Sequence, residues 1–240
     1  MNKRIFTSIA VAVLLSSSLV FAGPTIPAIQ KADKPWTEWT QKDAEKILDS
    51  SPWAQTQVDT DTREMFFTPT PAGERLGSGA RNQAVDIKLI VRFFSARPIR
   101  RALVRMMELQ QKPDAQLTQR LHAFADVKPD ESIILTLSVE TTDQRYSGIA
   151  MQAMSSAITA TLKNETYLER DGKRLFLHEY VPPGKDGFGA RFIFLRAPDG
   201  KPFIDGNSGD VRFLAKYPNG LKVDRRFKIS DMMLDGGLEY

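Results

Sequence analysis

Thr166-Tyr167-Leu168-Glu169-Arg170-Asp171-Gly172-Lys173-Arg174-Leu175-Phe176 is the stretch on which the fold class turns. Before it, Ala150, Ala153, Met154, Ala157, Ile158 and Leu162 recur at helical spacing up to Asn164. After Asn164 apolar and polar residues alternate, as in strands with one buried face. Asp171-Gly172 sits between two such runs. A two-residue hairpin needs positive φ at both central positions, which this dipeptide tolerates. The reading therefore changes from helix to antiparallel strand at Asn164, and the fold class is α+β.

Working toward the C-terminus, Phe188 to Ala197 is apolar on both faces and reads as a central strand. Pro198-Asp199-Gly200 and Pro218-Asn219-Gly220 mark further turns. Leu221, Val223, Phe227 and Ile229 alternate with Lys222, Asp224, Arg226 and Lys228, the pattern of a half-buried strand. The expectation for 164–240 is an antiparallel meander of about five to six strands. Working toward the N-terminus, residues 36–163 read as helix-rich, with about three main helices and two strands. Thr40 with Asp43 forms a variant capping box for a helix buried on Ala44, Ile47 and Leu48 and ended by Ser50-Ser51-Pro52. Gln55 to Phe67 reads as an extended arm with a strand, Thr68 to Ala84 as a loop and Val85 to Phe94 as a strand. Ser95 is placed to cap a helix with Ile99, Ala102, Leu103, Met106 and Leu109 inward. Pro113 opens another, striped by Leu117, Leu121 and Phe124, and Ile133 to Val139 is a strand. Residues 36–240 are expected to be one domain.

The first residues carry Lys3 and Arg4, then an uncharged apolar run from Ile5 to Phe21 that ends on Ala22. This is the pattern of a secretory signal peptide, with cleavage expected after Ala22 and a short linker over 23–35. Ser8, Ser16, Ser17 and Ser18 interrupt the run, and no comparable run follows, so no membrane span is expected in the cleaved chain. The expected location is periplasmic or extracellular. The full chain has 33 basic and 29 acidic residues, a net charge of +4, which falls to +2 without the leader. There is no cysteine, which excludes disulfides, cysteine lipidation and thiolate metal sites.

Three segments carry a resemblance. Trp39-Thr40-Gln41-Lys42-Asp43-Ala44-Glu45-Lys46-Ile47-Leu48 with Ser51-Pro52-Trp53-Ala54, then Val91 to Arg100, then Phe227 to Met232 with Leu238-Glu239-Tyr240, resemble an uncharacterised family of exported proteins from acidobacterial-type bacteria. The resemblance implies export and a shared fold. It brings no activity, ligand or site residue.

Candidate chemistry is sparse. Gly206-Asn207-Ser208-Gly209 is similar to the glycine-flanked serine of chymotrypsin-like proteases, but a triad also needs a histidine, and only His122 and His178 exist. A turn is the expected identity of that loop. Asp205, Asn207 and Asp210, with Asp199, offer oxygen ligands to calcium, although position 216 is Lys where an EF-hand-type loop needs Glu. His178 and Glu179 are expected on one continuous strand and so on opposite faces. The three tryptophans, Trp36, Trp39 and Trp53, suit either a stacking platform or an anchor for the first helix, and the anchor is expected. Gly77-Ser78-Gly79 lacks the Gly-Lys-Ser/Thr of a phosphate loop.

Two basic clusters remain. Arg97, Arg101 and Arg105 are four apart on one helix, near the end where the helix dipole disfavours cations, so they require an anion from the fold or from a ligand. Arg212, Lys216, Lys222, Arg226 and Lys228 share one expected face of the last hairpin, opposite Val211, Phe213, Val223 and Phe227. Such a face suits an anionic partner. The sequence thus points to an exported, non-catalytic binding or scaffolding module of the cell envelope, without a cofactor, whose partner is an anionic envelope component or another envelope protein. The alternative is a hydrolase using carboxylates near His178 or Ser208.

Overall fold

The computed structural model describes residues 34–61, 85–127, 131–141 and 144–240. The expected leader, most of the linker and the expected loop over 68–84 lie outside the described residues. Among the described residues five α-helices and eleven strands make a mixed α+β fold.

Thr40 caps the first helix, α1 (Gln41–Asp49), in a reciprocal capping box with Asp43, and Ala44, Ile47 and Leu48 are buried. Strands β1 (Ala54–Asp61) and β2 (Val85–Phe93) follow, then the helical hairpin α2 (Arg97–Gln111) and α3 (Ala115–Asp126), then β3 (Ser132–Thr141). Next come α4 (Gln144–Ser156), α5 (Thr159–Leu162), β4 (Thr166–Arg170), β5 (Lys173–Phe176) and β6 (Glu179–Val181). The chain ends with β7 (Ala190–Leu195), β8 (Asp210–Lys216), β9 (Lys222–Lys228) and the small hairpin β10 (Met233–Leu234) and β11 (Gly237–Leu238). Asp171 and Gly172 have φ of 50° and 76°, the left-handed pair the hairpin requires.

The strands after Asn164 do not form one meander. Apart from the separate β10-β11 hairpin, they divide between two antiparallel sheets, β1-β2-β3-β7-β6 and β5-β4-β8-β9. The division happens at Leu177–His178, where the chain leaves β5 in one sheet and enters β6 in the other. Leu177 N–H still bonds Thr166 O on β4 of the four-stranded sheet, while His178 N–H bonds Ile193 O on β7 of the five-stranded sheet. Both Leu177 and Tyr180 are buried as a result, and in place of one strand carrying both His178 and Glu179 there are two with shifted phase, β5 and β6.

The inner faces of the two sheets pack together through edge-to-face aromatic pairs: Phe93 on Phe227, and Phe192 on Phe213, with centroids 4.8 and 5.1 Å apart. At the sides, β1 and β9 meet edge to edge. The Gln57 amide donates to Lys222 O and accepts from Asp224 N–H, both at 2.9 Å, and Arg225 Nη1 donates to Thr56 O at 2.8 Å. Side chains thereby satisfy backbone groups that two open edges would otherwise expose.

Three helix expectations change. Ser95 does not cap α2: the N-cap is Ala96, and the Ser95 hydroxyl instead accepts from Ile134 N–H, tying the β2 exit to β3. In α3, Leu117 and Phe124 are exposed and Ala125 is the buried residue, because the helix is rotated to lay its small side against the body. The helix expected from Ala150 to Asn164 breaks between α4 and α5, leaving Ile158 exposed at the break. Leu109, near the end of α2, is likewise exposed.

Candidate functional site

The outer face of the four-stranded sheet is set by register. On β8 and β9, Lys216 stands opposite Lys222, Leu214 opposite Asp224, Arg212 opposite Arg226 and Asp210 opposite Lys228. The same rows continue into β4 and β5: Glu169 beside Arg212 and Arg174, and Tyr167 beside Leu214 and Phe176. Since Val211, Phe213, Val223 and Phe227 are all fully buried on the other face, these residues point outward.

Two directly opposed pairs of like charge, Lys216 with Lys222 and Arg212 with Arg226, destabilise a hairpin unless something neutralises them. The fold supplies part of that. Arg212 grips Asp224 in a two-pronged contact, Nε to Oδ1 at 2.7 Å and Nη2 to Oδ2 at 2.5 Å, with Lys222 Nζ 3.4 Å from the same carboxylate. The bond from Arg212, joined by Lys222, lowers the Asp224 carboxyl from 3.8 to about 2, and the same bond raises the Arg212 guanidinium. Lys216 pairs with Glu165 at 3.1 Å, Lys228 with Asp231 at 3.0 Å and Arg174 with Glu169 at 2.9 Å. Arg226 is exposed and makes no hydrogen bond or ion pair among the described residues. The face therefore has one free arginine between partly neutralised neighbours.

The other arginine cluster is absorbed by the fold. Arg97 Nε donates to buried Glu239 at 2.7 Å, and the Glu239 carboxylate also accepts from Arg97 N–H at the start of α2, which supplies the anion the helix dipole requires. That bond raises the Arg97 guanidinium. Arg101 binds Asp126 at 2.9 Å. Arg105 donates to Trp39 O at 2.7 Å and pairs with Glu108, whose other oxygen meets His122 Nε2 at 2.5 Å. Arg100, between them in sequence, is buried and donates to the carbonyls of Phe94, Ser95 and Val127, closing the C-terminus of α3; burial lowers its guanidinium to about 10. The tryptophans also act within the fold. Trp53 Nε1 donates to Glu239 O at 2.8 Å, Trp39 packs on the core and Trp36 meets the His122 ring edge-on.

Ser208 is buried inside its turn. Its Oγ accepts from Arg170 Nη1 at 2.6 Å and from Asp205 N–H at 2.9 Å, and donates to Asp205 Oδ1 at 3.2 Å. The Asp205 carboxylate accepts from Asn207 N–H as well, which lowers its carboxyl together with the Arg170 bond. An Asx turn locked on an arginine is thus the state of this loop. His178 lies exposed in the bend between β5 and β6. It adjoins Thr166 at one end of β4, while Ser208 adjoins Arg170 at the other, so about 14 Å of strand separates them. The expected turn identity holds, whereas His178 lies in a bend and not on the strand expected for it. Of the residues expected to offer oxygen ligands, Asp205 is engaged within its turn by Asn207 N–H and Ser208, and among the described residues no group of three or more aspartate, glutamate or histidine side chains is placed to hold a metal ion.

The register that opposes like charges follows from the Pro218-Asn219-Gly220 turn, so the two cation pairs were derivable from sequence by counting outward. Nothing local in sequence indicates that Gln57 and Arg225 seal the seam beside them. No family model, curated protein or solved structure matches the chain.

Proposed function

We propose that this chain is an exported, non-catalytic module of the cell envelope that binds or scaffolds an anionic component through the outer face of β8 and β9. The observation that carries the reading is the pair of like-charged cross-strand contacts with Arg226 left unpaired. Arg212, Lys216 and Lys222 are offset by Asp224 and Glu165, but Arg226 faces Arg212 across the hairpin with no carboxylate of its own among the described residues, and an external anion relieves that remaining repulsion. The resemblance to exported acidobacterial-type proteins is consistent with this setting. Among the described residues no helix is long and apolar enough to cross a membrane. The hydrolase alternative draws on Ser208 and His178, and it lacks support from a shared location.

The test is retention on isolated envelope material at low and moderate salt, comparing the protein with a Lys216→Ser, Lys222→Ser, Arg226→Ser variant. Arg212 is kept because it holds Asp224. The expected result is retention that falls with salt and is lost in the variant. Unchanged, salt-insensitive retention rejects the reading.

A further inference from the structure

The same face offers more than charge. Phe176 lies on the edge strand β5 in the row of Tyr167, Leu214 and Asp224, so its ring leaves the sheet on the cationic side. It is 46% exposed, while Tyr167 beside it is buried, edge-on to Phe176 and under the Arg174 guanidinium, 4.4 Å from its centroid. The exposed cations are spread in two dimensions. Lys216 and Lys222 are neighbours across strands, about 5 Å apart, and Arg226 is about 14 Å along β9 from Lys222. Arg174 flanks the ring on its own strand.

A linear anionic polymer needs its cations in a line or along a groove. A sheet face with cations in two dimensions and one protruding ring instead complements a layer of charged groups over an apolar interior. We propose that this face lies on an anionic lipid surface, with Lys216, Lys222 and Arg226 over headgroup phosphates and the Phe176 ring entering the interface. This rests on the anionic-partner reading above and names the partner. Asp224 stays ionised in the arrangement, bridging Arg212 and Lys222 so that both extend across the face rather than repelling each other.

The test is co-sedimentation of the exported protein, purified from the envelope fraction, with vesicles of phosphatidylcholine alone or with about one-third phosphatidylglycerol. A parallel arm uses dextran sulfate, an anionic polymer with no apolar phase. Binding is expected only to the phosphatidylglycerol vesicles. Lys222→Ser with Arg226→Ser is expected to weaken it about thirtyfold, and Phe176→Ser about tenfold. Lys222→Arg with Arg226→Lys, which keeps the charge, should retain it. Binding to dextran sulfate as strong as to vesicles, or a Phe176→Ser variant that binds vesicles like the parent, overturns the lipid assignment and leaves the anionic-partner reading standing. Binding to neither overturns both.

Discussion

Gly189, just before β7, has φ of 80°. A Cβ at that position would run into the carbonyl oxygen of Leu137 and lie 2.9 Å from its carbonyl carbon and 3.3 Å from Ser138 Cα. All three are backbone atoms of β3, the central strand of the five-stranded sheet, and Leu137 pairs with Ala190, the next residue. In Gly189→Ala, left-handed backbone costs about 1–2 kcal/mol. Relieving the overlap requires β3 and β7 to part at the Leu137–Ala190 pair, which leaves a buried backbone group unmet at about 1–3 kcal/mol. The sum is about 2–5 kcal/mol, a large share of the stability of an ordinary domain. Gly187→Ala is the internal control. Its φ is 76°, but nothing lies within 4 Å of a Cβ there, so it should show the backbone cost alone. The two variants differ by the overlap cost of about 1–3 kcal/mol, so in thermal unfolding followed by circular dichroism Gly189→Ala should melt about 2–12 °C below Gly187→Ala. Equal melting of the two variants would refute the close approach of β3 to this glycine.

Arg100→Met should destabilise by about 2–4 kcal/mol in denaturant unfolding, because three carbonyls lose their donor; Arg100→Lys should recover only part, since an ammonium cannot span the fork. Asp224→Asn tests the bridge through pH. The carboxyl is lowered from 3.8 to about 2 in the folded state, so its stabilisation is complete above the unfolded value and is lost as pH falls through about 2. The stability gap between parent and Asp224→Asn should be widest near neutrality and close in strong acid, and a gap that widens in acid would contradict the assignment. Ser208→Ala should cost about 1–2 kcal/mol by freeing Arg170 and the Asp205 amide, with envelope retention unchanged. A variant as stable as the parent would show that this hydroxyl does not hold the turn.

Local chemistry made much of this fold legible. The Thr40–Asp43 capping box and the Asp171–Gly172 hairpin depend on neighbouring residues only, and both form where spacing places them. The switch between sheets at Leu177–His178 was not legible, because it depends on which distant strand each half meets: Thr166 for one, Ile193 for the other. That unread switch is also why His178 was placed on a strand. The apolar stripe of α3, exposed at Leu117 and Phe124 and half-buried at Leu121, shows the same limit. Leu117, Leu121 and Phe124 have helical spacing, but the small Ala125 permits closer packing, and the apolar residues are left at the margin. The cationic face was legible as a face because alternation has period two. Its central bridge was not, because Asp224 appeared only as one polar residue among four.

Whether the outer face of β8 and β9 takes an anionic partner is read out by mapping amide chemical shifts while anionic envelope material is titrated into the isotopically labelled protein. Shifts are expected to concentrate at Lys216, Lys222, Arg226 and Phe176 and to fade as salt is raised. Shifts centred on Ser208 and His178, or on Arg97, Arg101 and Arg105, with the β8–β9 face silent, would contradict it.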